Sequence, residues 1–430
     1  MIGEIIAIGN ELTSGRVLDT NSRFAAGQLF GAGHEIIAMA TIGDSPEEIG
    51  RALKRAIARS DFVVVTGGLG ATSDDLTNEA VALALKRPSV LFPEVLEKIR
   101  RCPAGQSATE MRLLEKLAWL PDGAEVLSPE RRMAGYLLIH DHTPVFFLPG
   151  VPHEMQELLA ERVIPRLALW QGESVRRVRQ RVYKIFGRPE IEINRLVGHL
   201  EKASPRVRIG YYPVFPEVHL SLTVIDGPPA TPAPAPSATT SIDTTANLFD
   251  RLAAQIEAAL GDCIFGRDEE TLEGVVGCLL RTRAQTLALA ESCTGGLIAG
   301  KLTAIPGSSA YFSGGVVSYS NDLKEKFLGV GHQLLLAHGA VSGPVARAMA
   351  EGVRERAGVD LALSVTGIAG PGGGSAEKPV GTVYFGLATL ERTLDFLYRF
   401  AGDRRQIREI AAATALDLLR RHLLGKLLQP

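Results

Sequence analysis

The stretch DFVVVTGGLGATSDDLTNEA (residues 61–80) joins an apolar, β-branched run to a glycine-rich turn and then to a helical pattern. A strand, a turn and a helix in this order predict a βαβ unit with a parallel sheet. The glycines permit close backbone approach and positive φ angles, which a phosphate-binding loop requires. The two aspartates that follow, Asp74 and Asp75, are hard oxygen ligands suited to Mg²⁺ on a diphosphate. A tight turn whose aspartate caps the next helix fits equally well, and the spacing leaves both interpretations open.

The same alternation of strands and helices extends over the first 170 residues. Apolar runs at EIIAIG (4–9), EIIAMATI (35–42) and PVFFLPG (144–150) predict further strands, with helical patterns between them. We therefore expect a doubly wound, mostly parallel α/β domain. In such sheets ligands bind beyond the carboxyl ends of the strands. Two more polar loops leave predicted strands at those ends, GNELTSGRVLDTN (9–21) and LPGVPHEM (148–155).

Composition places the whole chain among multidomain globular proteins. Its 430 residues predict roughly three domains. A hydrophobic fraction of 46% is ordinary for a soluble globular protein. A net charge of −2 gives no electrostatic case for a nucleic-acid or anionic-membrane partner. The amino terminus has no basic segment before its short apolar run, and no apolar run reaches the ~18 residues of a membrane span. The four cysteines are scattered without metal-binding spacing. We expect a cytoplasmic protein.

A second, smaller α/β domain is expected at residues 171–266. The stretch SVRRVRQRVYKIFG (174–187) alternates valine with arginine, as a strand with one wet face does. A Pro/Ala-rich tract at 227–241 cannot bury a core, so we expect an extended, dispensable insertion. The amphipathic helix expected at 246–260 continues the domain beyond it.

A third α/β domain is expected at residues 267–430, where helical and strand patterns alternate again. Within it, GSSAYFSGGVVSYSNDLKEK (307–326) contains Ser309, Tyr319 and Lys324. Serine and lysine are common residues, and fifteen positions between them form no fixed motif. From the residues alone, a helix-capping serine and a surface lysine are the favoured interpretation.

The three loops of the first domain also resemble a known family. GNELTSGRVLDTN, TGGLGATSDDLT and LPGVPHEM are similar to the amino-terminal domain of the CinA family, which is similar to the molybdopterin-binding fold. The resemblance implies hydrolysis of ADP-ribose to AMP and ribose 5-phosphate. It implies a divalent metal, Mg²⁺ or Co²⁺, with K⁺ as a further cation, and Asp74 and Asp75 as metal ligands. Family members typically have proline where this chain has Ala71, so the loop is expected to be less rigid. The expected substrate-binding residues are Asn10, Glu11, Asn21, Gly67, Gly68, Gly70 and Thr72.

The middle domain is similar to the KH-type domain that lies between the other two domains of CinA proteins. KH domains hold RNA with a GxxG loop, and the corresponding turn here, FGRPEIE, lacks it. The arginines of the preceding strand could form a phosphate track, but a solvated strand face is favoured. These arginines are Arg176, Arg177, Arg179 and Arg181.

The third domain carries the longest motifs. Residues 289–330, HGAVS (338–342), residues 364–386 and FAGDRRQIRE (400–409) resemble the nicotinamide mononucleotide deamidase (PncC) family, the carboxy-terminal half of CinA. The resemblance implies hydrolysis of the nicotinamide carboxamide to nicotinate mononucleotide and ammonia, without a cofactor. It also implies a homodimer. Together the two resemblances predict a bifunctional hydrolase of NAD breakdown products.

The resemblance places Ser309, Tyr319 and Lys324 at a Ser/Lys amidase centre, with Ser309 as nucleophile and Lys324 as base. A lysine in an apolar pocket loses its proton near neutral pH, and Tyr319 could relay that proton. Ser292, in ESCTGG, is the rival nucleophile, in a turn that suits an oxyanion role. Arg404 is expected to bind phosphate or the carboxamide oxygen. The expected substrate-binding residues here are Thr294, Gly295, Gly296, Gly367, Gly370, Gly372 and Gly373.

Two alternatives of other classes remain. The first domain could bind a pterin or nucleotide without hydrolysing it. The chain could instead be a competence or DNA-damage accessory protein that acts through protein contacts. Under the hydrolase interpretation, the partners are small nucleotides, nicotinamide mononucleotide and ADP-ribose, with no direct nucleic-acid or membrane contact.

Overall fold

The structure, a computed structural model, describes residues 1–72, 75–101, 113–128, 135–172, 178–226 and 245–426. Asp74, Arg176, Arg177 and the Pro/Ala-rich tract lie outside these residues. None of the helices in the described ranges combines the length and the apolarity needed to cross a membrane. The described residues divide into two compact units: Met1–Arg179 together with residues 225–226, and Gln180–Val224 together with residues 245–426.

The first unit is built on a mixed sheet. Its described strands are β1 Ile2–Ile8, β2 Glu35–Ile42, β3 Phe62–Thr66, β4 Ser89–Leu91, β5 Trp119–Pro121, β6 Glu125–Val126, β7 Tyr136–His140 and β8 Thr143–Leu148. Six of them form one sheet in the order β2-β1-β3-β8-β7-β6, and β4 and β5 form a separate antiparallel pair. The neighbours from β2 to β8 run parallel, whereas β7 and β6 are antiparallel additions. The predicted α/β class and mostly parallel sheet are confirmed.

Helices cover both faces of this sheet. They are α1 Asn10–Thr13, α2 Thr20–Gly31, α3 Pro46–Ile57, α4 Thr77–Ala84, α5 Pro93–Arg101, α6 Pro152–Leu158 and α7 Ile164–Gln171. Alternate residues of β3 show the two-sided burial: Val63 and Val65 belong to one apolar core, Phe62 and Val64 to the other. Since side chains alternate across a strand, a run apolar at every position belongs between two helical layers. The carboxyl ends of β1, β3 and β8 consequently lie side by side.

The second unit contains two sheets. The first has β9 Val178–Ile185, β10 Val207–Val214, β11 Glu217–Ile225 and β12 Ile264–Arg267, in the order β10-β11-β9-β12. Helices α8 Glu190–Val197 and α9 Thr245–Leu260 share a core with it. The helix predicted at 246–260 is thus present. Arg181 on β9 pairs with Glu257 of α9 at 3.4 Å, which supports a structural role for this arginine. The KH-type assignment and the boundaries at 170/171 and 266/267 stay predictions.

The second sheet of this unit has the order β14-β13-β15-β16-β17. Its strands are β13 Leu287–Glu291, β14 Phe312–Val317, β15 Leu361–Gly367, β16 Thr382–Ala388 and β17 Thr393–Arg399. The accompanying helices are α10 Leu272–Thr282, α11 Leu297–Thr303, α12 Asn321–Leu328, α13 His332–His338, α14 Gly343–Ala357 and α15 Arg404–Leu423. Strand β13 is parallel to both β14 and β15, with Glu291 in register with Val317 and Val365. The loops that follow these three strands therefore meet at one edge of the sheet.

Candidate active sites

A cavity of about 280 Å³ lies at the carboxyl ends of β13, β14 and β15. We call it the second-unit cavity. Its lining residues are Ser292, Cys293, Tyr319, Asn321, Lys324, Ala340, Val341, Thr366, Gly367, Ile368, Ala369, Gly370, Gly372, Gly373 and Arg404. The cavity thus contains four of the five predicted catalytic residues, Ser292, Tyr319, Lys324 and Arg404, together with most of the glycine-rich loop.

Ser292 opens the turn between β13 and α11. Its backbone N–H donates to the carbonyl oxygen of Val365 at 2.9 Å, which ties the turn to the neighbouring strand. Gly295 and Gly296 have φ angles of 61° and 90°, in the left-handed region where glycine is favoured. The turn therefore reverses within four residues and holds Ser292, which is 9% exposed, at the cavity wall.

The buried carboxylate of Glu291 stabilises this turn. It accepts hydrogen bonds from the backbone N–H groups of Gly296, Ile298 and Ala299 at 3.0, 3.2 and 2.9 Å. These N–H groups belong to the first turn of α11. Backbone N–H groups in the first turn of a helix have no acceptor within the helix. Sequence reasoning missed this role, although Glu291 stands directly before Ser292 in the ESCTGG motif.

Lys324 projects from α12, whose amino end is capped by Ser320. Its side chain is buried, with the residue only 1% exposed. The Nζ atom donates to the carbonyl oxygen of Ser318 at 2.7 Å and lies 3.3 Å from Oγ of Ser292. Burial disfavours the charged ammonium, so the pKa of Lys324 is lowered. A serine hydroxyl and a lysine with a lowered pKa thus meet inside a cavity.

The thiol beside this pair is not activated. Cys293 is 6% exposed, and burial raises its pKa to about 12. Since the thiolate is the reactive form of cysteine, this side chain is a small buried apolar group at neutral pH.

Arg404 and Tyr319 form the mouth of the second-unit cavity. The guanidinium of Arg404 donates to the hydroxyl of Tyr319 and to the carbonyl oxygen of Gly370, each at 2.7 Å. Asp403 caps α15 in a capping box with Gln406 and so sets the start of the helix that carries Arg404. Tyr319 is 58% exposed and contacts Arg404 at the rim, so the predicted proton relay through Tyr319 stays a prediction.

Ser309 is placed elsewhere: within the single chain it does not lie beside Lys324, and its predicted role stays a prediction. It is an exposed residue of a 3₁₀ turn at Ser308–Ala310, and it does not line the second-unit cavity. The physical reason is the six-residue strand β14. Ser309 precedes this strand and Lys324 follows it, and six extended residues span roughly 20 Å. Within one chain, Lys324 is therefore brought to Ser292.

The other predicted residues divide between the lining and its support. Gly367, Gly370, Gly372 and Gly373 line the cavity. Thr294, Gly295 and Gly296 belong to the supporting turn, where the carbonyl oxygen of Thr294 accepts from Arg408 at 2.7 Å. Sequence reasoning missed Thr366 and Asn321 as lining residues. The position of Asn321, just after the capping serine of α12, was the available signal.

A second cavity, of about 370 Å³, lies at the carboxyl ends of β1, β3 and β8. We call it the first-unit cavity. Its polar and glycine lining comprises Gly9, Glu11, Asp19, Thr20, Asn21, Asp44, Thr66, Gly67, Gly68, Gly70, Asp75 and Gly150. All three loops singled out in the sequence contribute to it.

Asn21 and the glycines organise this cavity. The Nδ2 atom of Asn21 donates to Oγ1 of Thr66 at 3.1 Å and to the carbonyl oxygen of Gly150 at 2.8 Å, which joins the three loops. Within the described ranges, the buried Oδ1 of Asn21 has no hydrogen-bond partner. Gly67 has a φ of 102°, and a Cβ there would lie 2.2 Å from the carbonyl oxygen of Ile8. Close approach of backbones therefore requires glycine at this position.

The predicted metal and binding residues occupy different places around this cavity. Asp75 lines it, and its carboxylate accepts from the backbone N–H of Thr72 at 2.9 Å. Thr72 itself does not line the cavity. Glu11 lines the cavity as expected. Asn10 does not line the cavity. Its backbone N–H donates to the carboxylate of Asp44 at 2.9 Å, and its Oδ1 accepts from the backbone N–H of Asp44 at 3.2 Å. These bonds fix the position of the Asp44 carboxylate in the lining.

The charge of the first-unit cavity is one-sided. Its described lining contains the carboxylates of Glu11, Asp19, Asp44 and Asp75, but no lysine, arginine or histidine. Over the described residues, no group of three or more His, Cys, Asp or Glu side chains is arranged to hold a metal ion. A cation that takes most of its ligands from phosphates and water needs only one or two carboxylates, which Asp75 and its neighbours supply.

Comparisons with known proteins match both units. Residues 269–423 match the family model of the CinA C-terminal domain, and residues 4–169 match the model described as "Probable molybdopterin binding domain".

Similar proteins cover almost the whole chain. A CinA-like protein of Desulfotalea psychrophila is 54% identical over 421 residues, which is 98% of each chain. A CinA-like protein of Citrifermentans bemidjiense is 42% identical over 433 residues, covering 99% of this chain and 98% of the relative. The crystal structure of the competence/damage inducible protein CihA from Agrobacterium tumefaciens is 45% identical and covers 34% of this chain and 91% of that one, with a TM-score of 0.34. The chain belongs to the CinA family, with a molybdopterin-binding-type domain at its amino end and a CinA C-terminal domain at its carboxyl end.

Proposed function

We propose that the chain is a bifunctional hydrolase of NAD breakdown products. The second unit hydrolyses the carboxamide of nicotinamide mononucleotide to nicotinate mononucleotide and ammonia. The first unit hydrolyses ADP-ribose to AMP and ribose 5-phosphate. The observation that supports the deamidase most directly is the buried Nζ of Lys324, 3.3 Å from Oγ of Ser292.

The surroundings of Lys324 suit a general base. Because burial lowers its pKa, a larger fraction of its amine is neutral near pH 7 than for an exposed lysine. A neutral amine has two N–H donors and one lone pair. One N–H is directed at the carbonyl oxygen of Ser318, at 2.7 Å. This contact orients the nitrogen and leaves its lone pair free to accept the hydroxyl proton of Ser292.

The proposed reaction has two halves. Oγ of Ser292 attacks the carboxamide carbon while Nζ of Lys324 accepts the hydroxyl proton. The ammonium of Lys324 then returns this proton to the departing nitrogen, which leaves as ammonia. Water cleaves the resulting acyl ester and regenerates the hydroxyl of Ser292. We propose Ser292 rather than Ser309 as the nucleophile, because Ser292 lines the cavity beside Lys324.

The rest of the second-unit cavity provides recognition. Apart from Lys324, the described lining of this cavity has one cationic side chain, that of Arg404. Its exposed guanidinium suits the phosphate of a mononucleotide. The glycine-rich loop at 367–375 has no bulky side chains over much of its length, so its backbone can approach the ribose phosphate closely.

The first-unit cavity supports the pyrophosphatase through its charge. A diphosphate repels the four lining carboxylates unless cations accompany it. Asp75 would hold a divalent cation, which would neutralise and polarise the diphosphate oxygens. Gly67 and Gly68 allow the backbone to approach the phosphates.

Two assays on the purified full chain test this proposal. Ammonia release from nicotinamide mononucleotide is expected with and without EDTA, whereas AMP release from ADP-ribose is expected only with a divalent metal. Loss of ammonia release on chelation would contradict the Ser/Lys mechanism. Binding of ADP-ribose without hydrolysis at any divalent metal tested would show that the first unit is a non-hydrolytic binding module.

A further inference from the structure

The glycine-rich loop of the second unit, residues 368–381, connects β15 to its antiparallel neighbour β16. Two backbone hydrogen bonds close its base. The N–H of Ile368 donates to the carbonyl oxygen of Thr382 at 2.9 Å, and the N–H of Gly381 donates to that of Ile368 at 2.8 Å. The first half of the loop lines the second-unit cavity, so the position of the loop shapes this cavity.

Beyond its base the loop has little to hold it in place. Its glycines lose more conformational entropy on ordering than other residues do; they are Gly370, Gly372, Gly373 and Gly374. Residues 371–377 are exposed, so they gain no support from an apolar core. In the described part of the chain, residues 371–378 make one hydrogen bond to an element outside the loop, and Lys378 donates it. The second half of the loop therefore depends on this lysine.

Lys378 reaches from the loop to the carboxyl end of α13. Its Nζ atom donates to the carbonyl oxygen of His338 at 2.9 Å. His338 is the last residue of α13, and the last carbonyls of a helix have no N–H partner within it. A cation is favoured at this end of a helix. A short turn presents the lysine: the N–H of Ser375 donates to the carbonyl oxygen of Lys378 at 2.9 Å, and Oγ of Ser375 accepts from the N–H of Lys378 at 3.1 Å.

The segment that follows α13, residues 339–342, provides another part of the cavity lining. Its backbone is held by two further side chains. The carbonyl oxygen of Gly339 accepts from Oγ of Ser342 at 2.9 Å, and that of Ala340 accepts from Oγ1 of Thr366 at 2.8 Å. The segment is therefore well fixed, and the lysine joins the weakly supported loop to it.

Arg404 holds only the start of the loop. Its guanidinium donates to the carbonyl oxygen of Gly370 at 2.7 Å, and the same group is the proposed partner of the substrate phosphate. Lys378 is not among the residues that line the cavity, so it acts on a bound mononucleotide through the loop.

We infer that Lys378 is a positioning residue of the deamidase, which holds the glycine-rich loop at the distance from residues 339–342 that a mononucleotide requires. This inference rests on the proposed hydrolysis of nicotinamide mononucleotide in the second unit. Because the lysine acts on the loop and not on the reacting atoms, it governs substrate binding and leaves the chemical step unchanged.

The test compares Lys378→Met and Lys378→Arg with the control Lys326→Met in the full chain. Lys326 is exposed on α12 and does not line the cavity. In Lys378→Met we expect the KM for nicotinamide mononucleotide to rise about tenfold, the loss expected for a hydrogen bond from a charged donor, at unchanged kcat. Lys378→Arg should restore most of this loss, because the contact is a single hydrogen bond that a guanidinium can also donate. Lys326→Met should match wild type.

Hydrogen–deuterium exchange without ligand reports on the loop itself. In Lys378→Met the backbone N–H groups of residues 368–381 should exchange faster than in wild type, and in Lys378→Arg they should not. Equal exchange in Lys378→Met and wild type would overturn the inference, as would an unchanged KM, a fall in kcat at unchanged KM, or an equal loss in Lys326→Met. Faster exchange in a chain that releases no ammonia from nicotinamide mononucleotide would support the positioning of the loop by Lys378 while refuting the deamidase.

Discussion

The first-unit and second-unit cavities occupy equivalent places in two different sheets, yet they carry opposite electrostatics. Each lies where three neighbouring parallel strands end. One is lined by four carboxylates without a lysine, arginine or histidine in its described lining, the other by a buried lysine 3.3 Å from a serine. The fold thus provides the location, and the side chains that follow the strands decide the chemistry.

The difference in charge between the two cavities suits two different mechanisms of hydrolysis. In the proposed mechanism the buried Lys324 is the base and Ser292 is the nucleophile, so deamidation is expected to need no cation. The acidic first-unit cavity can accept a diphosphate only together with cations, so its activity should depend on metal. A change on one side of this contrast should leave the other activity unchanged, so each activity can serve as a control for the other.

The largest effect is expected from Lys324→Met. Loss of the base should lower kcat for deamidation by about 10³-fold or more, while ADP-ribose hydrolysis remains. Lys326→Met is the matched control, because Lys326 is exposed on the same helix, two residues away. Steady-state ammonia release measures both. An equal loss in the two variants would indicate damage to α12 rather than to the base.

A smaller loss, confined to the first unit, is expected from Asp75→Ala. Without its carboxylate the divalent cation should be held poorly, and AMP release should fall by about 100-fold or more. Deamidation should be unchanged. Glu94→Ala, which removes an exposed carboxylate of α5 outside the cavity, serves as the control. Restored AMP release at higher metal concentration would support the role of Asp75; unaltered hydrolysis in Asp75→Ala would contradict it.

The pH dependence of deamidation should reveal the shifted lysine. Below its pKa, Lys324 is protonated and cannot accept the proton of Ser292, so kcat/KM should fall as the pH falls. Because burial lowers this pKa, the plateau should begin below the range of an ordinary lysine, about 10.4. A profile that rises only above that range would mean that Lys324 is not the base.

The smallest effect is expected from Cys293→Ala. Since burial raises the pKa of this thiol to about 12, it is protonated at neutral pH, and the rate should stay within about threefold of wild type. Inactivation of the wild-type deamidase by a thiol-directed reagent, prevented by nicotinamide mononucleotide, would instead point to a cysteine nucleophile.

Much of the architecture could be predicted because strong local patterns and tertiary structure agree. The β-branched run at 62–66 and the glycines after it predicted a strand, a turn and a site, and the structure has a strand and a cavity there. The antiparallel strands β6 and β7 and the β4–β5 pair were not predicted. Their short runs carry little periodicity, and their pairing is set by contacts distant in sequence.

The residues of the candidate site were predicted from the sequence, but the pairing of Lys324 with Ser292 was not. Ser292, Lys324 and Arg404 were all singled out, and the structure gathers them around one cavity. Within one chain Ser309 does not meet Lys324, because a spacing counted along the sequence ignores the direction of β14. A serine before a strand and a lysine after it lie at opposite ends of that strand, so the sequence did contain the signal. The role of Glu291 could not be predicted, because it depends on how the turn folds back onto α11.

The identity of the serine that carries the acyl group tests the central claim most directly. Rapid quenching of the enzyme with nicotinamide mononucleotide, followed by peptide mass spectrometry, would locate the adduct. We predict an acyl ester on Ser292, absent in Ser292→Ala and retained in Ser309→Ala. An adduct on Ser309 or Cys293, or full activity of Ser292→Ala, would contradict the assignment of Ser292 and Lys324 as the catalytic pair.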